Sequence, residues 1–292
     1  MKLSIPEEEI MNPGHLACQG CGATMAMRYT LKVYGRDTML TIPACCWAVI
    51  DGPFPYTAAG VPIFHTAFET AAIMASGLKA GLEMQGNKST NVIAWAGDGG
   101  TFDIGIASLS GAAERNEDIT YIVYDNEAYM NTGIQRSSAT PPGAWTTTTP
   151  IKHYKKEPKK DIIAIMAAHR IPYAATASVG YPEDFVRKLK KARDTKGFKF
   201  IHVLTPCPTG WKSDPRYTAK LAKLAVQTNV FPLYEVENGV NYKQTLKVKE
   251  RKPVTEYFKY QGRFKHLTEE EVASIQKEID ENYALLQKRL EQ

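Results

Sequence analysis

Apolar positions along most of the chain recur alternately with the spacing of helices and with that of strands. Helical spacing predicts four helices, at 25–34, 68–84, 104–115 and 182–195. Short β-prone runs predict four strands, at 38–42, 91–96, 119–124 and 198–204. Strands that alternate with helices indicate an α/β fold, in which a mainly parallel sheet carries helices on both faces.

Two long stretches, 43–66 and 125–160, interrupt this pattern. They are rich in proline, glycine and threonine, they show no periodicity, and each follows a predicted strand. Long loops inside a compact domain are usually functional or disordered, and open α/β sheets bind ligands beyond the carboxyl ends of their strands. We therefore expect a functional site where these two stretches meet the sheet.

The pattern changes again in the C-terminal part of the chain. Asn238-Gly239 lies between two β-prone runs and is a strong signal for a tight hairpin. Thr268 and Glu271 have the spacing of a capping box, which predicts a final charged helix. We expect a hairpin and a helix that form an extension of the α/β fold.

The composition is that of an ordinary globular protein, with 43% hydrophobic and 23% charged residues and a net charge of +5. Lysines cluster at 152–160 and near the C-terminus without the aromatic interleaving or a motif of nucleic-acid binding, so we expect no nucleic-acid partner. The longest weakly charged stretch, 38–68, contains Asp51 and several prolines, so we expect no membrane span. The N-terminal segment has acids where a signal peptide needs an apolar core, and we expect a cytoplasmic protein.

The five cysteines suggest metal or redox chemistry. Cys18 and Cys21 form a C-x-x-C pair, Cys45 and Cys46 are adjacent, and Cys207 follows a predicted strand between two prolines. Four cysteines can hold a [4Fe–4S] cluster or a structural zinc ion, although a zinc ribbon would normally show a second C-x-x-C. The alternative is a thiol redox pair, with the other cysteines buried as small apolar residues. The spacing alone leaves all three interpretations open.

A carboxylate among glycines forms a second candidate site. Gly97-Asp98-Gly99-Gly100 ends a predicted strand and opens a predicted helix. This is not the dinucleotide fingerprint, because Phe102 stands where its third glycine would be. Asp98 could hold a Mg²⁺ ion that bridges to phosphates lying close to the backbone N–H groups, whereas the alternative is an ordinary turn.

A polar segment that follows the next predicted strand supports the cation site. Asn126 lies one helix and one strand further along the chain than Asp98. The carboxyl ends of neighbouring parallel strands meet at one edge of the sheet. Asp98 and a side-chain oxygen of Asn126 can therefore meet at one cation.

Three segments of the chain together resemble one family. They are 14–22 (GHLACQGCG), 97–105 (GDGGTFDIG) and 125–141 (DNEAYMNTGIQRSSATP). They are similar to the β subunit of the 2-oxoacid:ferredoxin oxidoreductases, which bind thiamine diphosphate (TPP), with the pyruvate branch the most similar. The resemblance extends over most of residues 12–260. It implies a TPP- and iron–sulfur-binding α/β domain at 1–230 and a C-terminal extension at 231–292 that packs on the core or on a partner subunit.

The resemblance also implies which residues hold the cofactors. The expected [4Fe–4S] ligands are Cys18, Cys21, Cys46 and Cys207. The expected Mg²⁺ ligands are Asp98, Asn126 and the backbone carbonyl of Ala128. The residues expected to line TPP are Cys46, Gly97, Asp98, Gly99, Gly100, Asn126, Glu127, Ala128, Tyr129, Met130 and Asn131. The expected catalytic residues are Asn131, near the reacting carbon, and Cys46, which would touch TPP.

The segment around Cys46 departs from the family pattern. The cluster cysteine of the family commonly follows glycine, whereas Cys46 follows Cys45. We assign Cys46 as the ligand because the run from Cys21 then aligns without a gap, and Cys45 is the fallback. Trp47 comes next. It would either narrow the substrate pocket or pack against the cluster and keep it dry.

The activity implied by the resemblance is oxidative decarboxylation of a 2-oxoacid, foremost pyruvate, with coenzyme A and reduction of ferredoxin. Oxalate and branched 2-oxoacids are the alternative substrates. Partner chains of alpha, gamma and delta type, or fusions of them, would supply the glutamate that activates TPP and the onward electron transfer. Glu69 lies near the site in sequence, although we prefer its interpretation as an acid favoured at a helix start. A non-redox TPP decarboxylase and a zinc-stabilised binding module are the more remote alternatives.

Overall fold

The computed structural model describes residues 4–291, and within them eight strands form a single sheet. The strands are β1 Thr38–Pro43, β2 Ile63–Thr66, β3 Asn91–Gly97, β4 Thr120–Asp125, β5 Tyr173–Ser178, β6 Lys199–Leu204, β7 Leu233–Glu237 and β8 Asn241–Leu246. Their order across the sheet is β2-β1-β3-β4-β6-β5-β7-β8. The pairs among the first six strands are parallel, so the carboxyl ends of these strands lie at the same edge.

Helices cover both faces of the sheet. They are α1 Gly22–Tyr34, α2 Trp47–Ile50, α3 Ala71–Met84, α4 Ile106–Glu114, α5 Ile162–Ala168, α6 Pro182–Asp194, α7 Pro208–Trp211, α8 Thr218–Gln227, α9 Val254–Phe258 and α10 Glu269–Leu290. One apolar cluster joins α1 and α6 to the sheet, and a second joins α3, α4 and α5 to its other face. The predicted α/β fold with helices on both faces is confirmed.

Alternation along the central strand β3 shows how the two faces are built. Ile93 and Trp95 belong to the cluster under α1 and α6, whereas Val92 and Ala94 belong to the cluster under α3 and α4. All four side chains are buried. Because successive side chains point to opposite faces of a strand, a strand buried on both sides has an almost continuous apolar sequence.

The C-terminal residues extend the sheet and then cross its edge. β7 pairs antiparallel with β5 and with β8, and the turn at Asn238 and Gly239 has positive φ angles of 53° and 73°. The predicted capping box at Thr268 and Glu271 is present, and α10 follows it. Leu286 of α10 is buried against the second apolar cluster. The extension therefore packs on the core, while the division of the chain at residue 231 stays a prediction.

Several elements have bounds that the sequence pattern did not predict. α3 begins at Ala71 and not at residue 68. The Phe68 ring lies before the helix and packs against Tyr129, with 6.0 Å between ring centroids. β2, β5, α5 and α8 were not predicted.

Among the residues that the structure describes, none of the helices combines the length and the apolar character that a membrane span needs.

Candidate functional site

Two adjoining cavities lie at the carboxyl edge of the sheet, where the two long loop stretches meet it. The first, which we call the strand-end cavity, has a volume of about 240 Å³. The second, the cysteine cavity, has a volume of about 230 Å³. Cys46, Asn126, Met130 and Asn131 line both, so a group bound in one cavity would lie next to a group bound in the other.

Most of the residues expected to line TPP are brought together here. Those that line the strand-end cavity are Cys46, Gly97, Asp98, Gly99, Gly100, Asn126, Ala128, Tyr129, Met130 and Asn131. Glu127 does not line it, because its carboxylate forms ion pairs with Lys159 and Arg263 instead. Phe68 and Tyr124 also line this cavity, and no motif in the sequence indicates that they do.

Glycine is required where β3 passes into the following helix. β3 ends at Gly97, and a π-helical turn over Gly99–Ile104 leads directly into α4. A Cβ atom at Gly99 would lie 2.1 Å from the Tyr129 ring, and one at Gly105 would lie 2.0 Å from the Gly100 carbonyl oxygen. The turn can therefore be this tight only without side chains at these positions, and such π turns are frequent at functional sites.

Three oxygen atoms converge at the end of β3. The side-chain oxygen of Asn126 lies 2.9 Å from the carbonyl oxygen of Ala128 and 3.0 Å from Asp98 Oδ1. All three are acceptors, so either a cation lies between them or the amide is turned and its nitrogen donates to both. Octahedral Mg²⁺ with oxygen ligands at about 2.0–2.1 Å places adjacent ligand oxygens about 2.9 Å apart. The spacing of these oxygens fits Mg²⁺.

The charge of Asp98 also favours a cation. Asp98 is 1% exposed, and Ser137 Oγ donates to its Oδ2 at 2.5 Å. Burial, and then the neighbouring Asp125 carboxylate, raise the pKa of Asp98 well above its usual range. A buried carboxylate of this kind takes up a proton unless a positive charge compensates it. A divalent cation bound to the three oxygens would supply that charge.

The neighbouring carboxylates are compensated by this chain's own cations. Lys159 Nζ lies 2.5 Å from Asp125 Oδ2 and 2.9 Å from Glu127 Oε1, and Arg263 Nη2 lies 2.6 Å from Glu127 Oε2. His202 Nε2 lies 2.7 Å from Asp125 Oδ2. Although burial opposes it, the charge of Lys159 and the bond from His202 lower the pKa of Asp125 to about 2. One lysine and one arginine thus pair with Asp125 and Glu127, whereas Asp98 forms no ion pair within residues 4–291.

Four of the five cysteines line the cysteine cavity, namely Cys18, Cys21, Cys46 and Cys207. Gly20 has a φ of +73°, which makes the tight turn between the first two possible. Cys45 lines only the strand-end cavity. The four cysteines around one cavity are therefore the set that the resemblance implied.

The cysteine cavity has room for a group larger than one metal ion. A tetrahedral zinc site with Zn–S bonds of about 2.3 Å needs sulfur atoms about 3.8 Å apart. Within residues 4–291, no three His, Cys, Asp or Glu side chains are placed to hold a single metal ion. The four cysteines line an open volume of about 230 Å³.

Trp47 does not reach either cavity. Its side chain is fully buried in the apolar cluster under α1, where it packs edge-to-face on Trp95 with ring centroids 6.0 Å apart. The side chain at the start of α2 points into the core because the strands β1 and β3 offer an apolar surface there. The Trp47 side chain therefore narrows neither of the two cavities.

The residues 50–203 match a family described as "Thiamine pyrophosphate enzyme, C-terminal TPP binding domain". Ketoisovalerate oxidoreductase subunit VorB of Pyrococcus abyssi is 54% identical over 300 residues, which cover 99% of this chain and 96% of the relative. Pyruvate synthase subunit PorB of Methanothermobacter marburgensis is 53% identical over 283 residues, which cover 95% and 97%. A 2-oxoglutarate:ferredoxin oxidoreductase from Magnetococcus marinus shares the fold, with a TM-score of 0.60, 21% identity and coverage of 76% of this chain and 84% of that chain.

The fold and the strand-end cavity, together with the family match, define a TPP-binding domain of the thiamine pyrophosphate enzymes. The identity to both groups of relatives over nearly the whole chain specifies it further. This chain belongs to the β subunits of the 2-oxoacid:ferredoxin oxidoreductases, and it is one subunit of a multi-subunit enzyme that acts on 2-oxoacids.

Proposed function

We propose that this subunit binds TPP in the strand-end cavity through a Mg²⁺ ion held by Asp98, Asn126 and the Ala128 carbonyl. The observation that carries the proposal is the convergence of three acceptor oxygens at 2.9 and 3.0 Å beside an uncompensated buried carboxylate. The glycines at 97–100 leave room for the diphosphate beside the backbone.

We propose further that Cys18, Cys21, Cys46 and Cys207 hold a [4Fe–4S] cluster in the cysteine cavity. Burial raises the pKa of Cys21 and raises the pKa of Cys207 to about 11, so without metal these thiols are neutral. Iron would stabilise the thiolates that the cluster needs. Because Cys46 lines both cavities, the cluster would lie directly beside TPP.

The proposed reaction converts a 2-oxoacid, coenzyme A and two oxidised ferredoxins into acyl-CoA, CO₂, two reduced ferredoxins and a proton. TPP supplies the electron sink for decarboxylation, and the cluster accepts single electrons. The chain's own residues bind and orient these groups. Asn131 lines both cavities, and we propose that its polar side chain lies near the reacting carbon of TPP. Met130 also lines both cavities and provides an apolar wall that excludes water.

The lining of the cavities favours an aliphatic 2-oxoacid. Within the described residues, no lysine or arginine lines either cavity, so this chain offers no cation to a second carboxylate such as that of oxalate. Ala48, Phe68 and Met130 line the strand-end cavity and provide apolar contacts. We therefore propose pyruvate, with branched 2-oxoacids such as ketoisovalerate as the second candidate, because relatives named for either substrate are almost equally identical to this chain.

The chain needs partners for activity. Of the residues that the structure describes, no glutamate lines the strand-end cavity, and Glu69 is not among its walls. We propose that subunits of alpha, gamma and delta type, or fusions of them, supply the glutamate that activates TPP and pass electrons to ferredoxin. All five cysteines are free, and a cytoplasmic location would keep them reduced.

Substitution of Asp98 tests the cation site. Asp98→Asn removes the charge while it keeps the size of the side chain, so the affinity of the TPP-free complex for TPP at fixed Mg²⁺ should fall by about 100-fold or more. Asp118→Asn is the matched control, since Asp118 lies before β4 at the opposite edge of the sheet and pairs with Lys199. Isothermal titration calorimetry gives both affinities, and an unchanged affinity in Asp98→Asn would refute the site.

A further inference from the structure

One residue sets the orientation of two proposed cation ligands. Glu127 lies between Asn126 and Ala128, and its φ of +68° places it in the left-handed region that non-glycine residues rarely adopt. The Asn126 side chain lies 3.0 Å from Asp98 Oδ1 and 2.9 Å from the carbonyl oxygen of Ala128, so both neighbours of Glu127 contribute to this contact. Such strained residues persist only where the surroundings hold them.

Two cations hold the side chain of Glu127. Oε1 accepts from Lys159 Nζ at 2.9 Å, and Oε2 accepts from Arg263 Nη2 at 2.6 Å. The side chains of Glu127 and Arg263 are only 2% and 3% exposed. Removal of one partner from such a buried pair leaves an uncompensated charge and is strongly destabilising locally.

Arg263 also contacts the segment around Glu127 indirectly, through Trp211. Its guanidinium lies 4.0 Å from the centre of the Trp211 ring, and Trp211 Nε1 donates to the backbone carbonyl of Asn126 at 2.8 Å. Arg263 is itself fixed, because its Nε donates to Gln261 and its carbonyl accepts from Trp145 N at 2.9 Å. Arg263 thus contacts Glu127, which lies between the two proposed ligands. It also contacts Trp211, which holds the backbone of Asn126.

We propose that Arg263 is a positioning residue for the cation site, through which the C-terminal extension sets the affinity of the subunit for Mg²⁺–TPP. This rests on the proposed TPP site. Arg263 touches neither cavity. It acts by holding Glu127 in the left-handed conformation that directs two oxygens at one point. Residues that orient the ligands of a metal typically contribute about 10–100-fold to its affinity.

The test measures the affinity of the TPP-free complex for Mg²⁺–TPP by calorimetry and the melting temperature without cofactor. Arg263→Met keeps the stem without the charge, and its affinity should fall about 10–100-fold, whereas Arg263→Lys should recover part of it. Lys188→Met is the matched control. Lys188 is likewise buried and ion-paired, with Asp184 at 2.5 Å, but it lies on α6 away from both cavities. The affinity of the Lys188→Met complex for Mg²⁺–TPP should equal that of the wild type.

A double variant separates positioning from a general loss of stability. Glu127→Gln with Arg263→Met removes both buried charges, so the melting temperature should recover while the affinity stays low. If the double variant restores the affinity as well, or if Arg263→Met leaves the affinity unchanged while Asp98→Asn abolishes binding, the positioning role is wrong and the cation site stands. If Asp98→Asn itself leaves binding intact, both proposals fall.

Discussion

The side-chain oxygen of Asn126 lies 3.0 Å from Asp98 Oδ1, although each of the two atoms is an acceptor. Contacts of this kind repel unless a cation or a proton lies between the two atoms, or unless the Asn126 amide is turned so that its nitrogen donates. The relationship is informative because the two residues come from the ends of neighbouring strands, β3 and β4, and because Asp98 is buried. It is the arrangement expected if the charge of Asp98 serves a bound cation.

The first prediction compares two buried aspartates in the absence of TPP and metal. Asp98→Asn replaces a carboxyl group whose charged form is disfavoured by burial, so the melting temperature of the variant should equal or exceed that of the wild type. Asp125→Asn breaks contacts with Lys159 at 2.5 Å and His202 at 2.7 Å, and it should cost about 3–5 kcal/mol of unfolding free energy. Thermal and urea unfolding measure both, and a marked loss of stability in cofactor-free Asp98→Asn would contradict the prediction.

The second prediction concerns the two adjacent cysteines. Cys46 lines the cysteine cavity and Cys45 does not, so Cys46→Ser should lose most of the iron and acid-labile sulfide of the anaerobically purified protein. Cys45→Ser should keep both. Zinc in place of iron in the wild type would contradict the cluster, and the reverse order of the two variants would contradict the choice of Cys46.

The sequence was sufficient for the central part of the fold and for one edge of the site. Asp98 and Asn126 were paired from the spacing of one helix and one strand, and the structure places them together. Local pattern was sufficient there because consecutive parallel strands are neighbours in the sheet. The hairpin at Asn238 and the capping box at Thr268 can also be predicted from the sequence, because each depends on a few adjacent residues.

Other features depend on contacts that no local pattern encodes. β5 contains three alanines and was not predicted, because it is a strand through its pairing with β6 and β7 and its burial. Ser137, Lys159 and Arg263 reach the site from the long loop and the C-terminal extension. Their roles follow from burial beside Asp98 and Glu127, which only the folded chain shows.

The third prediction is a pH dependence that involves Lys188. Burial lowers the pKa of Lys188 to about 8, although Asp184 acts in the opposite direction. The ordinary pKa of lysine, 10.5, applies to the unfolded chain. Between about pH 8 and pH 10.5 the Lys188 amine is therefore protonated in the unfolded chain and neutral in the folded chain, so the free energy of unfolding rises with pH. Relative to Lys188→Met, the wild type should gain about 3 kcal/mol across that interval and show no change below it.

Lys188→Met is a suitable reference because Arg187 Nη2 also lies 2.6 Å from Asp184 and still pairs with it in the variant. Urea unfolding of both proteins at a series of pH values gives the difference in free energy. If that difference does not change between about pH 8 and 10.5, the amine stays protonated in the folded chain and the prediction is wrong.

The fourth prediction separates Trp47 from the substrate site. Trp47 is fully buried against Trp95, so Trp47→Ala should cost about 3–5 kcal/mol of unfolding free energy and Trp47→Phe less. Neither variant should change the ratio of kcat/KM for 2-oxobutyrate to that for pyruvate in the reconstituted complex, because the indole lines neither cavity. Phe68→Ala is the comparison, since Phe68 does line the strand-end cavity. The space that it opens should raise the ratio by roughly 10-fold, the effect of about one methylene group. A kcat/KM ratio that changes in Trp47→Phe but not in Phe68→Ala would contradict the prediction. It would place the substrate beside Trp47 and away from Phe68.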